Sequence, residues 1–176
     1  GYYELNPAGE VVMTAHPGGG KNSSKTSYSR VEYRELERDG TTKMAFNPSN
    51  GTHYVQGRSA ADALSAAKPQ MVLAQMHDSS DDTVMIYVND QTHVICKVRG
   101  TTVATLDSSY TLGTLKDWKI ELVDGTLNIY WDDLDTPAYT NSTAFSSTSA
   151  GQYFKTGSYM QWNTSNGDGT LGKVRL

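Results

Sequence analysis

The chain has 176 residues, of which 37% are hydrophobic, with 16 glycines and 11 tyrosines. That length fits a single domain, read here as residues 1–176, large enough to bury about two-thirds of the surface its unfolded chain exposes. Its 15 basic and 19 acidic residues leave a formal charge of −4, which argues against nucleic acid as a partner while leaving room for a local basic cleft.

A helical bundle would want more Leu, Ala, Glu and Lys in 3.6-residue periods. No apolar run approaches the roughly 20 residues of a membrane-spanning helix, so no membrane partner is expected. The opening Gly1-Tyr2-Tyr3 carries no Met, basic stretch or apolar stretch. A signal peptide is therefore expected to be absent or already removed. The lone Cys96 excludes a disulfide within the chain and reads as a small buried hydrophobe.

Short β-type runs punctuated by turn residues recur along the sequence. In chain order, strands are predicted over residues 30–37, 43–47, 70–77, 83–89, 92–98, 101–106, 118–123, 126–131, 153–162 and 169–176. Asp124-Gly125 suits the positive φ angles of a tight primed hairpin, and Asn89-Asp90 and Arg99-Gly100 mark two further turns. Residues 59–67 break the pattern: Ser59 as a cap, Asp62 three positions on and Pro69 as a stop predict a short helix. The Ser/Thr/Gly/Asn-rich stretches 18–29 and 136–152 are predicted surface loops, the second long enough to flank a cleft. Ten short strands without alternating helices predict an all-β antiparallel β-sandwich of jelly-roll type, with a closed up-and-down barrel as the alternative.

Three strands carry an unusual polar face. Residues two apart on a strand share a face, which groups Arg30, Glu32 and Arg34 against Val31 and Tyr33. It likewise groups Gln75 and His77 against Val72, Ala74 and Met76, and Tyr153, Lys155, Gly157, Tyr159 and Gln161 against Phe154 and Met160. A solvated strand face ordinarily mixes Thr, Ser, Lys and Glu. Here Arg, His, Gln and Tyr recur, groups that hold planar carboxylates and move protons. A concave sheet bearing them suits a polyanion with a carboxylate on every unit.

These segments, Arg30-Val-Glu-Tyr-Arg-Glu35, Gln75-Met-His77 and Tyr153-Phe-Lys-Thr-Gly-Ser-Tyr-Met-Gln161, resemble in the same order the three signatures of the alginate lyases of polysaccharide lyase family 7. The third match is long and specific. Val31, Tyr33, Met76, Ser158 and Met160 depart from the usual pattern, which leaves the uronate preference open and admits glucuronan as a substrate. The resemblance implies a jelly roll with a cleft across its concave sheet and β-elimination on a 4-linked polyuronate. It also implies that Arg30 and Gln75 neutralise the C6 carboxylate, His77 and Tyr159 transfer protons, and Glu32, Arg34, Tyr153, Lys155 and Gln161 contact the polymer. An ion pair of Arg34 with Glu32 or Glu35 is an equal alternative. No cofactor is expected, and no metal-ligand spacing is seen.

Two other functions compete. A glycoside hydrolase needs two carboxylates across a bond, for which Asp132, Asp133 and Asp135, or Glu32 with Glu35, are candidates. A carbohydrate-binding module would stack sugars on exposed Trp118, Trp131 and Trp162. The pair His77 and Tyr159 beside Arg30 favours the enzyme, since a pure binder has no use for proton transfer. A secreted, extracellular monomer is expected, because the polymer lies outside cells. Sequons at Asn22, Asn50, Asn141 and Asn163 agree weakly with that.

Overall fold

The structure is a computed structural model that describes residues 1–19, 26–145 and 151–176. Its strands are β1 (Tyr2–Leu5), β2 (Val11–Ala15), β3 (Arg30–Arg34), β4 (Thr52–Ala63), β5 (Met71–His77), β6 (Asp82–Val88) and β7 (Val94–Val98), followed by β8 (Thr101–Asp107), β9 (Lys116–Val123), β10 (Thr126–Trp131), β11 (Tyr139–Asn141), β12 (Tyr153–Met160) and β13 (Gly172–Arg175). They form a seven-stranded sheet, β1-β2-β13-β4-β9-β10-β11, and a six-stranded sheet, β3-β12-β5-β6-β7-β8. Every pairing is antiparallel. The expected jelly-roll sandwich is what the chain forms.

The core lies between the sheets. Ile120, Leu122, Leu127 and Ile129 from one sheet meet Leu73, Met76, Val84, Ile86 and Phe154 from the other, each almost wholly buried. Cys96 is buried there as expected. Two hairpins turn on consecutive positive φ angles, Arg99 (48°) with Gly100 (78°) and Asp124 (47°) with Gly125 (86°), as a primed turn requires.

The helix expected over residues 59–67 does not form; no helix occurs among the described residues, and most of that segment lies in β4. The cap-like Ser59 is instead buried, accepting a hydrogen bond from Trp118 Nε1. Ala60 and Ala61 are fully buried where β4 pairs with β13. Pairing with β9 at Ser59 and with β13 from Ala60 to Ala63 outweighs the weak helix preference of a nine-residue segment. Residues 43–47 make only isolated bridges, Leu36 to Lys43 and Phe46 to Gln152. Strands β1, β2 and β11 were not anticipated, and β11 lies inside the expected 136–152 loop. Residues 20–25 and 146–150 of the two expected loops, with Asn22, lie outside the described residues.

For the residues that lie on strands the face assignments hold except on β5, and Gln161 follows the end of β12. Val72, expected beneath the sheet with Ala74 and Met76, sits on the outer face with Met85, Tyr87 and Ile95. The register shifts between Val72 and Ala74, so Leu73 and Ala74 both point into the core. One extra residue at a bulge reverses the face of everything before it.

Candidate active site

On the outer face of the six-stranded sheet, register aligns the polar side chains in rows. Arg34, Lys155 and Gln75 stand side by side on β3, β12 and β5. Arg30 pairs with Tyr159, and Tyr153 with His77. Between those rows Glu32 faces Gly157, so no side chain on β12 separates Glu32 from β5. Gly157 adopts φ 147°, and a Cβ there would strike Val31 O, Met13 Sδ and Glu32 Cα. A glycine is required at this close approach.

Through that gap Gln75 Nε2 donates a 2.5 Å hydrogen bond to Glu32 Oε1, while Arg30 Nη1 lies 3.7 Å from Glu32 Oε2. Burial pushes the Glu32 carboxyl upward, against the pull of Lys155 and Arg30. The Arg30 guanidinium lies 4.1 Å from the Tyr159 ring centroid, and that of Arg34 lies 3.5 Å from the Tyr153 centroid. The Tyr153 ring also stacks with His77 at 5.4 Å. Cationic planes laid on aromatic faces hold both side chains in fixed orientations.

His77 Nδ1 lies 2.5 Å from the backbone oxygen of Asp78. A carbonyl only accepts, so the ring proton sits on Nδ1 and the Nε2 lone pair is left free. Burial pushes the His77 pKa down; Lys155 and Arg30 add to this, against the upward pull of Asp78. The imidazole is therefore neutral at neutral pH, the form a base requires. Tyr159 Oη is 3.5 Å from Thr26 Oγ1. Burial pushes the Lys155 amine down while Glu32 pulls it up.

Seven of the nine sequence candidates line one cleft of about 310 Å³: Arg30, Arg34, Gln75, His77, Tyr153, Lys155 and Tyr159. Glu32 is buried beneath its floor, holding Gln75. Gln161 lies outside that lining, its Nε2 donating to Met160 O at 3.4 Å. The cleft is also lined by Thr26 and by Ser79, Ser80, Asp81 and Asp82, which no motif flagged. The only available signal was position, since the 79–82 stretch follows Gln75-Met-His77 almost directly. Among the described residues, Arg30 Nε, Arg34 Nε and Gln75 Oε1 are buried without a hydrogen-bond partner. His16, His53 and His93 lie elsewhere, His53 stacking on Phe46 and His93 pairing with Asp90.

The structure disfavours both competing sites. Trp118, Trp131 and Trp162 are buried rather than exposed, with 1%, 6% and 0% of their surface accessible, so they offer sugars no stacking platform. Asp133 is spent in a turn, accepting from the Asp135 and Thr136 amides, and Asp132 pairs with Lys116. Glu35 accepts from the Phe154 amide and, unlike Glu32, is absent from the network around Gln75.

A family model described as alginate lyase matches residues 1–176. The chain belongs to the alginate lyase family. Like its relatives, this lyase is an enzyme of the polysaccharide lyase class. It superposes on the alginate lyase AlgAT5 of polysaccharide lyase family 7 with a TM-score of 0.89 and 32% identity, covering 99% of this chain and 78% of that one. The alginate lyase from Corynebacterium sp. gives a TM-score of 0.88 at 29% identity, again over 99% and 78% of the two chains. The alginate lyase PA1167 from Pseudomonas aeruginosa shares the fold at 18% identity, TM-score 0.82, over 99% of this lyase and 82% of that chain. A search of curated proteins finds no match.

Proposed function

We propose that this lyase cleaves alginate by β-elimination, taking the C5 proton of a uronate and releasing the O4-linked chain. The C5–H and C4–O4 bonds break, the electron pair forms a C4–C5 double bond, and a proton is returned to O4. C5 is too weakly acidic while its neighbouring carboxylate is a full anion. Arg30 and Gln75 therefore neutralise that carboxylate and stabilise the enolate as charge develops. Glu32 supports this by fixing the Gln75 amide, a positioning role rather than a contact with substrate.

His77 Nε2 accepts the C5 proton, and Tyr159 protonates the leaving oxygen; for the other uronate epimer Tyr159 serves as base as well. The Arg30 guanidinium over the Tyr159 ring stabilises the negative charge that gathers on the phenol oxygen during either transfer. Arg34 and Lys155 hold carboxylates of neighbouring units, with Tyr153 keeping Arg34 in place. Gln161 contributes at the margin of the cleft. The enzyme acts outside the cell as a monomer, where the polymer is found.

One observation carries this reading. A single cleft wall bears three cations, a buried amide whose N–H end is fixed by Glu32, and an imidazole whose free nitrogen is defined by the Asp78 carbonyl. The test is ultraviolet absorbance during separate mixing with polymannuronate, polyguluronate and glucuronan. The unsaturated uronate absorbs where hydrolysis products do not. Growth on either alginate block supports the proposal and names the epimer. Growth on glucuronan alone reassigns the substrate, and reducing ends without absorbance overturn elimination.

A further inference from the structure

The outer face of the six-stranded sheet carries basic residues beyond the cleft. Register continues the row of Arg34, Lys155 and Gln75 through Met85 on β6 to Lys97 on β7. At about 4.8 Å between strands, Lys97 stands about 14 Å from Lys155. Its Nζ lies 3.9 Å from the Tyr87 ring centroid. Lys68 reaches the same ground from the loop before β5, donating a 2.8 Å hydrogen bond to Tyr28 Oη. Thr26, which bonds the Tyr28 carbonyl, also touches Tyr159. The floor between is closed and apolar, made by Val72, Met85, Tyr87 and Ile95 with Tyr159 packed against it.

Both lysines are half-buried. Burial pushes the Lys97 amine down, Asp82 pulls it up and the Lys68 ammonium pushes it down again. Among the described residues neither ammonium has a carboxylate within ion-pair distance. Contact with tyrosine faces accounts for the place of each lysine. It does not account for two like charges sharing one apolar floor, which repel until an anion joins them.

We propose that Lys68 and Lys97 form a distal subsite that binds the carboxylate of a uronate unit, across Tyr159 from the Arg30, Arg34 and Lys155 group. This rests on the polyuronate reading above. A chain laid across the strands advances about one sugar per strand, so a unit at Lys97 is roughly three units from the one at Lys155. The enzyme would thus grip the polymer on both sides of the bond it breaks, and favour long chains.

The test compares Lys97→Met and Lys68→Met with wild type on alginate polymer and on an alginate trimer, which is too short to reach Lys155 and Lys97 together. Methionine keeps the cover over Tyr28 and Tyr87 while removing the charge. The polymer KM should rise roughly fivefold in each variant with kcat unchanged, and the trimer KM should stay put. Lys97→Arg, which keeps charge and cover, should hold the polymer KM. An unchanged polymer KM in both methionine variants, or an equal rise on polymer and trimer, overturns the subsite while leaving the lyase reading intact. Wild-type failure on every polyuronate overturns that reading and the subsite with it.

Discussion

Glu32 accepts a 2.5 Å hydrogen bond from Gln75 across Gly157, two strands away on the same sheet. The buried carboxylate has the Gln75 amide on one oxygen and the Arg30 guanidinium near the other. The two groups assigned to the substrate carboxylate are thus oriented by one residue that lies beneath them.

Glu32→Gln should therefore slow turnover more than it weakens binding. Removing the charge loosens the amide and the guanidinium at once, and a hydrogen bond to a charged group is worth about 1.5–3 kcal/mol. A fall in kcat of roughly ten- to hundredfold with a near-constant KM is expected. Steady-state kinetics on alginate check it, and a variant with wild-type kcat would make Glu32 a packing residue only.

Tyr159→Phe keeps the ring under the Arg30 guanidinium and deletes only the hydroxyl. Loss of a proton donor costs about 10²–10⁴-fold in rate. Polymer affinity and melting midpoint should stay near wild type, which calorimetry and thermal unfolding measure.

The His77 pKa sits below its ordinary 6.5, mainly through burial. The folded protein thus binds the His77 proton less readily than the unfolded chain does. Catalysis by neutral imidazole should rise with pH through that depressed value and be complete by neutrality. The linked stability is present above the ordinary pKa and is lost as pH falls through the folded one. A pH profile of kcat/KM whose acid limb lies above 6.5 would contradict the assignment.

Gly157→Ala meets backbone on two sides at φ 147°. Strain of this kind costs about 1–3 kcal/mol. Denaturant midpoints should fall accordingly, and kcat should fall further than stability alone explains, because Glu32 is moved away from Gln75.

The cleft was legible because its residues keep a spacing of two within each motif, so that Lys155 and Tyr159 still share a face although the register of β12 against β5 shifts between Thr156 and Tyr159. Arg30, Arg34, Tyr153, Lys155 and Tyr159 can be assigned to one face from their spacing alone. Val72 escaped because a bulge at Leu73 interrupts the period, and nothing in Met71-Val-Leu-Ala-Gln75 marks where it falls. Strand β4 escaped because its alanines look helical until β13 is placed against them and Trp118 against Ser59. Sheet position, set by partners far apart in sequence, decided both. The same holds for Glu32: the family resemblance implied a substrate contact, whereas the gap at Gly157 turns it toward Gln75. It holds also for the three tryptophans, whose burial depends on which sheet faces them.

The most direct measurement is the mass of alginate fragments cleaved in water enriched in ¹⁸O. Elimination breaks C4–O4 without adding water, so one end of each cut should be an unsaturated uronate lighter by one water, and no cleavage should introduce the heavy oxygen. Fragments of full hydrolytic mass carrying one ¹⁸O per cut would contradict proton transfer by His77 and Tyr159 as the chemistry of this cleft.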